Sequence, residues 1–275
     1  MGHYRKRLLR SALALLIGAG LWWTGCSRQT TAEIPPLDKE PPREEIVLSP
    51  ELPSTGVGRV MPEVIVPRGR LICIDPGHGF YDPGTGPGHM PGDTYERDIT
   101  VKVSEFLKEK LEADGFTAVL THDGTAIPEG WDWDGNGVFS AIYERPSYIN
   151  QVNPDYMVSI HVNAVPNEDK CGVIVFYHQS GYKINDWSEG ISHAVADAID
   201  KGIETTAVTR VSSPEDTADA SFAVCRETNC AASLVELGFC TNPTDAENLV
   251  DPVWQEQIAA AIAQGIGNFF DQLDA

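Results

Sequence analysis

Four polar residues of this 275-residue chain could do chemistry together: His78, Glu96, His161 and Glu236. His78 follows the apolar run Leu71-Ile72-Cys73-Ile74, inside Asp75-Pro76-Gly77-His78-Gly79, which reads as a buried strand entering a tight Gly-rich turn. Glu96 stands just before a helical pattern, in Thr94-Tyr95-Glu96-Arg97-Asp98. His161 follows the apolar run 156–160, and Glu236 follows Ser233-Leu234-Val235. The strands of an open α/β sheet place their ligands beyond their C-terminal ends, so these four positions can converge on one edge. Two His and one Glu form a ligand set for catalytic zinc, with the fourth position left to water or substrate. A metal-bound water becomes nucleophilic near neutral pH. A second, non-ligating carboxylate, here Glu236, can take its proton and hand it to a leaving amine. Each residue also has a plainer reading. A lone His can sit satisfied at a core edge, Glu96 can be a first-turn Glu facing the helix dipole, and Glu236 can be an ion-pair partner.

The surrounding pattern alternates strand and helix. Strands are expected at 71–75, 116–121, 156–160, 172–177 and 232–236, with 61–66 as a candidate edge strand. Helices are expected at 97–114, 144–153, 186–203 and 252–273. The first carries Ile99, Val103, Phe106, Leu107 and Leu111 at helical spacing, and the third carries Ile191, Val195, Ala198 and Ile199. Pro146 lies early in the second and should distort its start. The order implies a single α/β domain over 70–275, with a mostly parallel six-stranded twisted sheet flanked by helices. Gly77 and Gly79 read as room for a bulky ligand to reach His78.

Ahead of that domain the chain changes character. Arg5, Lys6, Arg7 and Arg10 precede an apolar stretch at 11–23, which is short for a membrane span and has the flanks of an export signal. The stretch ends Trp22-Trp23-Thr24-Gly25-Cys26, resembling the lipobox of bacterial lipoproteins, although Trp23 replaces the usual aliphatic residue. That resemblance implies lipidation of Cys26, cleavage after residue 25 and a membrane-anchored domain facing the periplasm or cell wall. Ser27 fits outer-membrane sorting in a Gram-negative host. Residues 27–69 hold Pro35-Pro36, Pro41-Pro42 and further prolines without aromatics, the composition of an extended tether.

A formal net charge of -20 argues against nucleic acid as a partner. The six cysteines include no Cys-x-x-Cys pair. Cys73 and Cys171 read as buried thiols, and Cys225 and Cys230 are near enough in sequence to bridge in an oxidising compartment. Within an insertion at 124–140, Asp132, Asp134 and Asn136 place oxygen donors at alternate positions before Gly137, as in the first half of a calcium loop. The closing acid should fall at Tyr143, and Glu144 comes one residue late. A polar turn explains the same residues, and Trp131 and Trp133 can instead line a sugar or peptide groove.

Five ordered pieces carry a resemblance. They are Ile74-Asp75-Pro76-Gly77-His78-Gly79, Glu96-x-Asp98-Ile99 opening a helix, Arg145 with Asn150, Ser159-Ile160-His161-Val162-Asn163-Ala164, and Val235-Glu236-Leu237-Gly238-Phe239-Cys240-Thr241-Asn242. Together they resemble the zinc-dependent N-acetylmuramoyl-L-alanine amidases, the Amidase_3 family, over nearly the whole domain. The resemblance implies a phosphorylase/hydrolase-like fold, zinc on His78, Glu96 and His161, and Glu236 as general acid/base. Peptidoglycan would be the substrate, cut between N-acetylmuramic acid and L-alanine. It also implies that Asn163 orients the loop of His161. The family usually has Gly where Phe80 stands, Arg where His122 stands and Pro where Cys230 stands. Some members carry an inhibitory helix between the second zinc His and the catalytic Glu; here the helix at 186–203 fits the ordinary scaffold, so no such plug is expected. Two other readings remain: a non-catalytic peptidoglycan-binding lipoprotein, and a zinc carboxypeptidase acting on stem peptides. The sequence points to no particular protein activator.

Overall fold

The computed structural model describes residues 67–275 except 87, 130, 132–140, 179–186 and 214–221. The described residues belong to one compact unit, Met61–Ala275. Cys26, the export signal, the tether up to residue 66 with its candidate edge strand, and the calcium-loop residues Asp132, Asp134 and Asn136 lie outside them.

The elements are β1 (Leu71–Pro76), α1 (Glu96–Ala113), β2 (Thr117–Leu120), α2 (Ala141–Val152), β3 (Tyr156–Asn163), β4 (Ile174–Tyr177), α3 (Ser188–Gly202), β5 (Arg210–Ser212), α4 (Ala223–Arg226), β6 (Ala231–Phe239), α5 (Pro243–Val250) and α6 (Pro252–Leu273). They build a six-stranded sheet of order β2-β1-β3-β6-β4-β5. All pairs are parallel except β4 with β6. The ten-residue link from β3 to β4 is too short for a helical crossover, and an antiparallel β4 needs none.

Strand alternation sorts the side chains onto two faces. Ile72, Ile74, Tyr156, Val158, Ile160 and Val235 face the larger core, closed by the buried stripe Ile99, Val103, Leu107 and Leu111 of α1 and by α3 and α6. Cys73, Met157, Ala232 and Leu234 face the smaller core, with Ile149 of α2. From β1 the chain crosses to β2 on one side and then returns past β1 to β3 on the other. The C-terminal ends of β1 and β3 therefore flank the point where strand order reverses, and a crevice opens there.

Three differences from the sequence reading matter. The sixth described strand is the three-residue β5, too short to leave an alternation signal. β3 and β6 run three residues further than expected, because they keep pairing: His161 lies opposite Glu236, and Asn163 opposite Phe239 after a register shift. His161 thus lies within a strand and not after it, and Glu236 lies inside β6 and not at its end. Helix α5 was unread because its start is written in a cap and not in periodicity: Asn242 Oδ1 accepts from the N–H groups of Thr244 and Asp245, with Pro243 at the first helical position. Cys225 and Cys230 both stand as buried thiols.

Candidate active site

Glu96 is the centre of the cluster. The Asp98 carboxylate accepts from the Tyr95 N–H at 3.2 Å, which fixes the start of α1 so that Glu96 is its first residue. Glu96 is 3% exposed, and both its oxygens are oriented by backbone donors: Val162 N–H to Oε1 and Thr85 N–H to Oε2, each 2.9 Å. The same oxygens meet His161 Nδ1 and His78 Nε2, both at 3.1 Å. The ligating atoms of His78, Glu96 and His161 all lie within 4.8 Å of one another. A dipole-facing Glu would not be buried between two imidazoles, so that plainer reading gives way.

The turn after β1 is shaped around these rings. His78 has φ 61°, and its Nδ1 donates to Asp82 Oδ2 at 2.8 Å. Asp82 reaches back because Gly79 and Asp82 exchange backbone hydrogen bonds of 3.0 and 2.9 Å around a two-residue turn. Sequence reasoning missed Asp82; its spacing four residues after His78 was the only signal. The glycines make room for the site's own groups. A Cβ on Gly77 would meet the His161 ring at 2.5 Å, and one on Gly84 (φ +66°) would collide with Glu96.

Behind the turn lies a buried polar network. Arg145 of α2 donates through Nη1 to Asp75 Oδ1 at 2.7 Å and to the Pro76 carbonyl at 2.6 Å, and through Nη2 to the His78 carbonyl. Thr121 and Ser159 hydroxyls donate to Asp75, each at 2.7 Å. Burial would raise the Asp75 carboxyl, but Arg145, Thr121 and Ser159 hold it below its ordinary range. His122 Nδ1 accepts from the Gly124 N–H and Nε2 faces the Pro76 carbonyl at 2.9 Å, so the neutral Nε2–H tautomer fits. Burial and Arg145 both push His122 down, which keeps it neutral. The other half of the Arg145–Asn150 pair pins the entry to β6: Asn150 donates to the Glu227 carbonyl and accepts from the Asn229 N–H.

Glu236 is buried beside this cluster, on the strand position paired with His161, and its Oε2 has no hydrogen-bond partner. No salt bridge to Glu236 is found among the described residues. Burial, then the negative charge of Glu96, raises its carboxyl to about 8.

His78 shows what the cluster does without metal. Burial lowers its proton affinity, but Asp82 and Glu96 more than reverse this and push it up to about 10. Burial raises Glu96 less than His161 and His78 lower it, so it stays ionised. A folded-state pKa above the ordinary value means that the folded protein holds that proton more tightly. The stability tied to His78 is complete below its ordinary 6.5 and lost as pH rises toward about 10. The stability tied to Glu236 is complete below its ordinary 4.5 and lost toward about 8. Metal-free protein should thus show a Tm that falls from about pH 6 to about pH 9, while saturating metal, which takes the place of the His78 proton, should make the slope shallower. Scanning calorimetry of the metal-free protein checks this; a flat or rising Tm would contradict it.

Several comparisons bear on this arrangement. The family model Amidase_3, N-acetylmuramoyl-L-alanine amidase, matches residues 72–268. The germination-specific N-acetylmuramoyl-L-alanine amidase of Bacillus subtilis (strain 168) is 27% identical over 206 residues, 74% of this chain and 81% of the relative. The crystal structure of an N-acetylmuramoyl-L-alanine amidase from Clostridium difficile 630 superposes with a TM-score of 0.60 at 27% identity, covering 74% of this chain and 97% of that one. The amidase AmiC2 of Nostoc punctiforme superposes with a TM-score of 0.58 at 30% identity, covering 76% and 100%. The family match spans the domain that carries the cluster, and the chain belongs to the Amidase_3 family of N-acetylmuramoyl-L-alanine amidases.

Proposed function

We propose that the chain is a zinc-dependent hydrolase of peptidoglycan, cleaving the amide between N-acetylmuramic acid and L-alanine. The observation that carries this reading is the buried carboxylate of Glu236, with Oε2 free of hydrogen bonds, beside a His78–Glu96–His161 donor set. That donor set fits zinc: two imidazole nitrogens and one carboxylate, with His78 donating its other ring N–H to Asp82 as metal-bound histidines do. Zinc held there supplies Lewis acidity to the scissile carbonyl and to a water. Glu236, ionised, takes a proton from the attacking water at Oε2. It returns that proton to the amide nitrogen as the C–N bond breaks, leaving a muramoyl carboxylate and a peptide with a free L-alanine amine.

Full-length protein loaded with zinc and incubated with purified peptidoglycan should release stem peptides with N-terminal L-alanine. Release of only a C-terminal amino acid, or no release, would refute the assignment. Asp82→Asn should weaken zinc binding about 10–100-fold, the usual cost of losing the partner of a ligating histidine, with a parallel loss of activity at limiting zinc. Competition with a chromophoric chelator measures it; unchanged affinity would remove Asp82 from that role.

Export and lipid anchoring at Cys26 belong to the same proposal, supported by the basic, apolar and Gly25-Cys26 order of the leader. No helix among the described residues is long and apolar enough to cross a membrane. Cys26→Ser should move the protein from the membrane to the soluble exported fraction; retention in the membrane would exclude this anchor.

A further inference from the structure

The turn between Gly79 and Asp82 has positive φ at its first central residue, the pattern of a II′ turn, where glycine is the usual occupant. The occupant here is Phe80, at φ 56°. Among the described residues, the other non-glycine positions with positive φ are His78, Asp93 and Asn153, types that enter this region more readily. A bulky aromatic in this conformation is strained, and such strain persists where a side chain is needed for function. The Phe80 ring is only partly covered: it tilts over His122 at 4.8 Å and meets Trp131 edge-on at 6.3 Å. It borders a cavity of about 440 Å³ whose rim carries Arg97, Asp98, Asp123 and Thr125. Arg97 also donates to the Phe80 carbonyl at 2.7 Å, holding the turn against that rim.

A cavity lined by Phe80 and Val101 together with planar charged groups and a hydroxyl matches one ligand chemistry. The C–H face of a sugar ring stacks on the aromatic, while its hydroxyls and amide exchange hydrogen bonds with guanidinium, carboxylate and hydroxyl. An anion would face Asp98 and Asp123, and an apolar peptide side chain would strand the charged rim. The far end of the same turn, Asp82, holds His78, so one turn joins the cavity's Gly79–Phe80 edge to the donor cluster. We propose that Phe80 is the floor of a saccharide subsite which takes a sugar of the glycan strand neighbouring the muramoyl residue under attack. This rests on the amidase reading for its substrate but not for its binding chemistry.

The test uses full-length, zinc-loaded protein and the variants Phe80→Gly and Phe80→Asn, both of which tolerate the turn's positive φ. Two substrates are compared: a muramoyl-peptide monosaccharide, and the same peptide on an alternating N-acetylglucosamine/N-acetylmuramic acid tetrasaccharide. The ratio of kcat/KM, tetrasaccharide over monosaccharide, should fall about tenfold in both variants, the scale of one lost stacking contact. The Tm of Phe80→Gly should equal or exceed wild type, because strain is relieved. Calorimetric titration with the peptide-free tetrasaccharide should show a matching loss of affinity. A lowered Tm with equal losses on both substrates would make Phe80 a packing residue and overturn the proposal; so would an unchanged ratio. Phe80-dependent binding of the tetrasaccharide by a protein that hydrolyses neither substrate would uphold the subsite and reject the amidase reading.

Discussion

Glu236→Gln should lower kcat on peptidoglycan by about 10²–10⁴, the range for losing a positioned acid/base, while zinc stays bound. Gln keeps the shape and volume of Glu but cannot accept the proton that the reaction moves. Glu236 is not among the clustered donors, so the variant keeps His78, Glu96 and His161 intact. The wild-type carboxylate is buried with no hydrogen-bond partner at Oε2, and burial, then the charge of Glu96, raises it to about 8. Removing an uncompensated buried charge should not destabilise the fold, so the Tm of Glu236→Gln should match or exceed wild type, most visibly above about pH 8. Turnover, zinc stoichiometry and Tm together form the measurement. A variant that keeps wild-type turnover would take proton transfer away from Glu236, and one that loses zinc would make it a ligand.

What could be read from the sequence followed from how local each signal was. His78 was legible because an apolar run breaks into Asp75-Pro76-Gly77-His78-Gly79, and α1 because Ile99, Val103, Leu107 and Leu111 repeat at helical spacing. The long pairing of β3 with β6 was not, since nothing local to either segment says that His161 will lie opposite Glu236. Asp82 was hidden for the same reason: it becomes a partner of His78 only once the Gly79–Asp82 turn has closed. Arg145 stood out as part of a motif, but its work on the carbonyls of Pro76 and His78 depends on α2 lying under the end of β1. Phe80 and His122 were seen as departures from the family pattern. Their contact with each other and with Trp131 shows that the two departures occupy one place.

Gly77→Ala should abolish most activity without unfolding the domain. The glycine N–H donates to the Ile160 carbonyl at 2.8 Å, which lays the end of β1 flat against β3. An added Cβ would stand 2.6 Å from that same carbonyl oxygen and 2.5 Å from the His161 ring. Backbone cannot yield as a flexible side chain would, so either the turn carrying His78 or the ring of His161 must move. Both belong to the donor set, whose ligating atoms span no more than 4.8 Å. A displacement of about 1 Å in such a site costs roughly 10²-fold in rate, and weaker zinc binding should accompany it. The cores on both faces of the sheet are built from other residues, so near-wild-type far-ultraviolet circular dichroism and a cooperative melt are expected. Excess zinc should restore only part of the activity, because the geometry and not just the occupancy has changed. Full rescue by zinc would mean that the cluster adapts to the methyl group, and wild-type activity without added zinc would show that Gly77 does not set the position of either histidine.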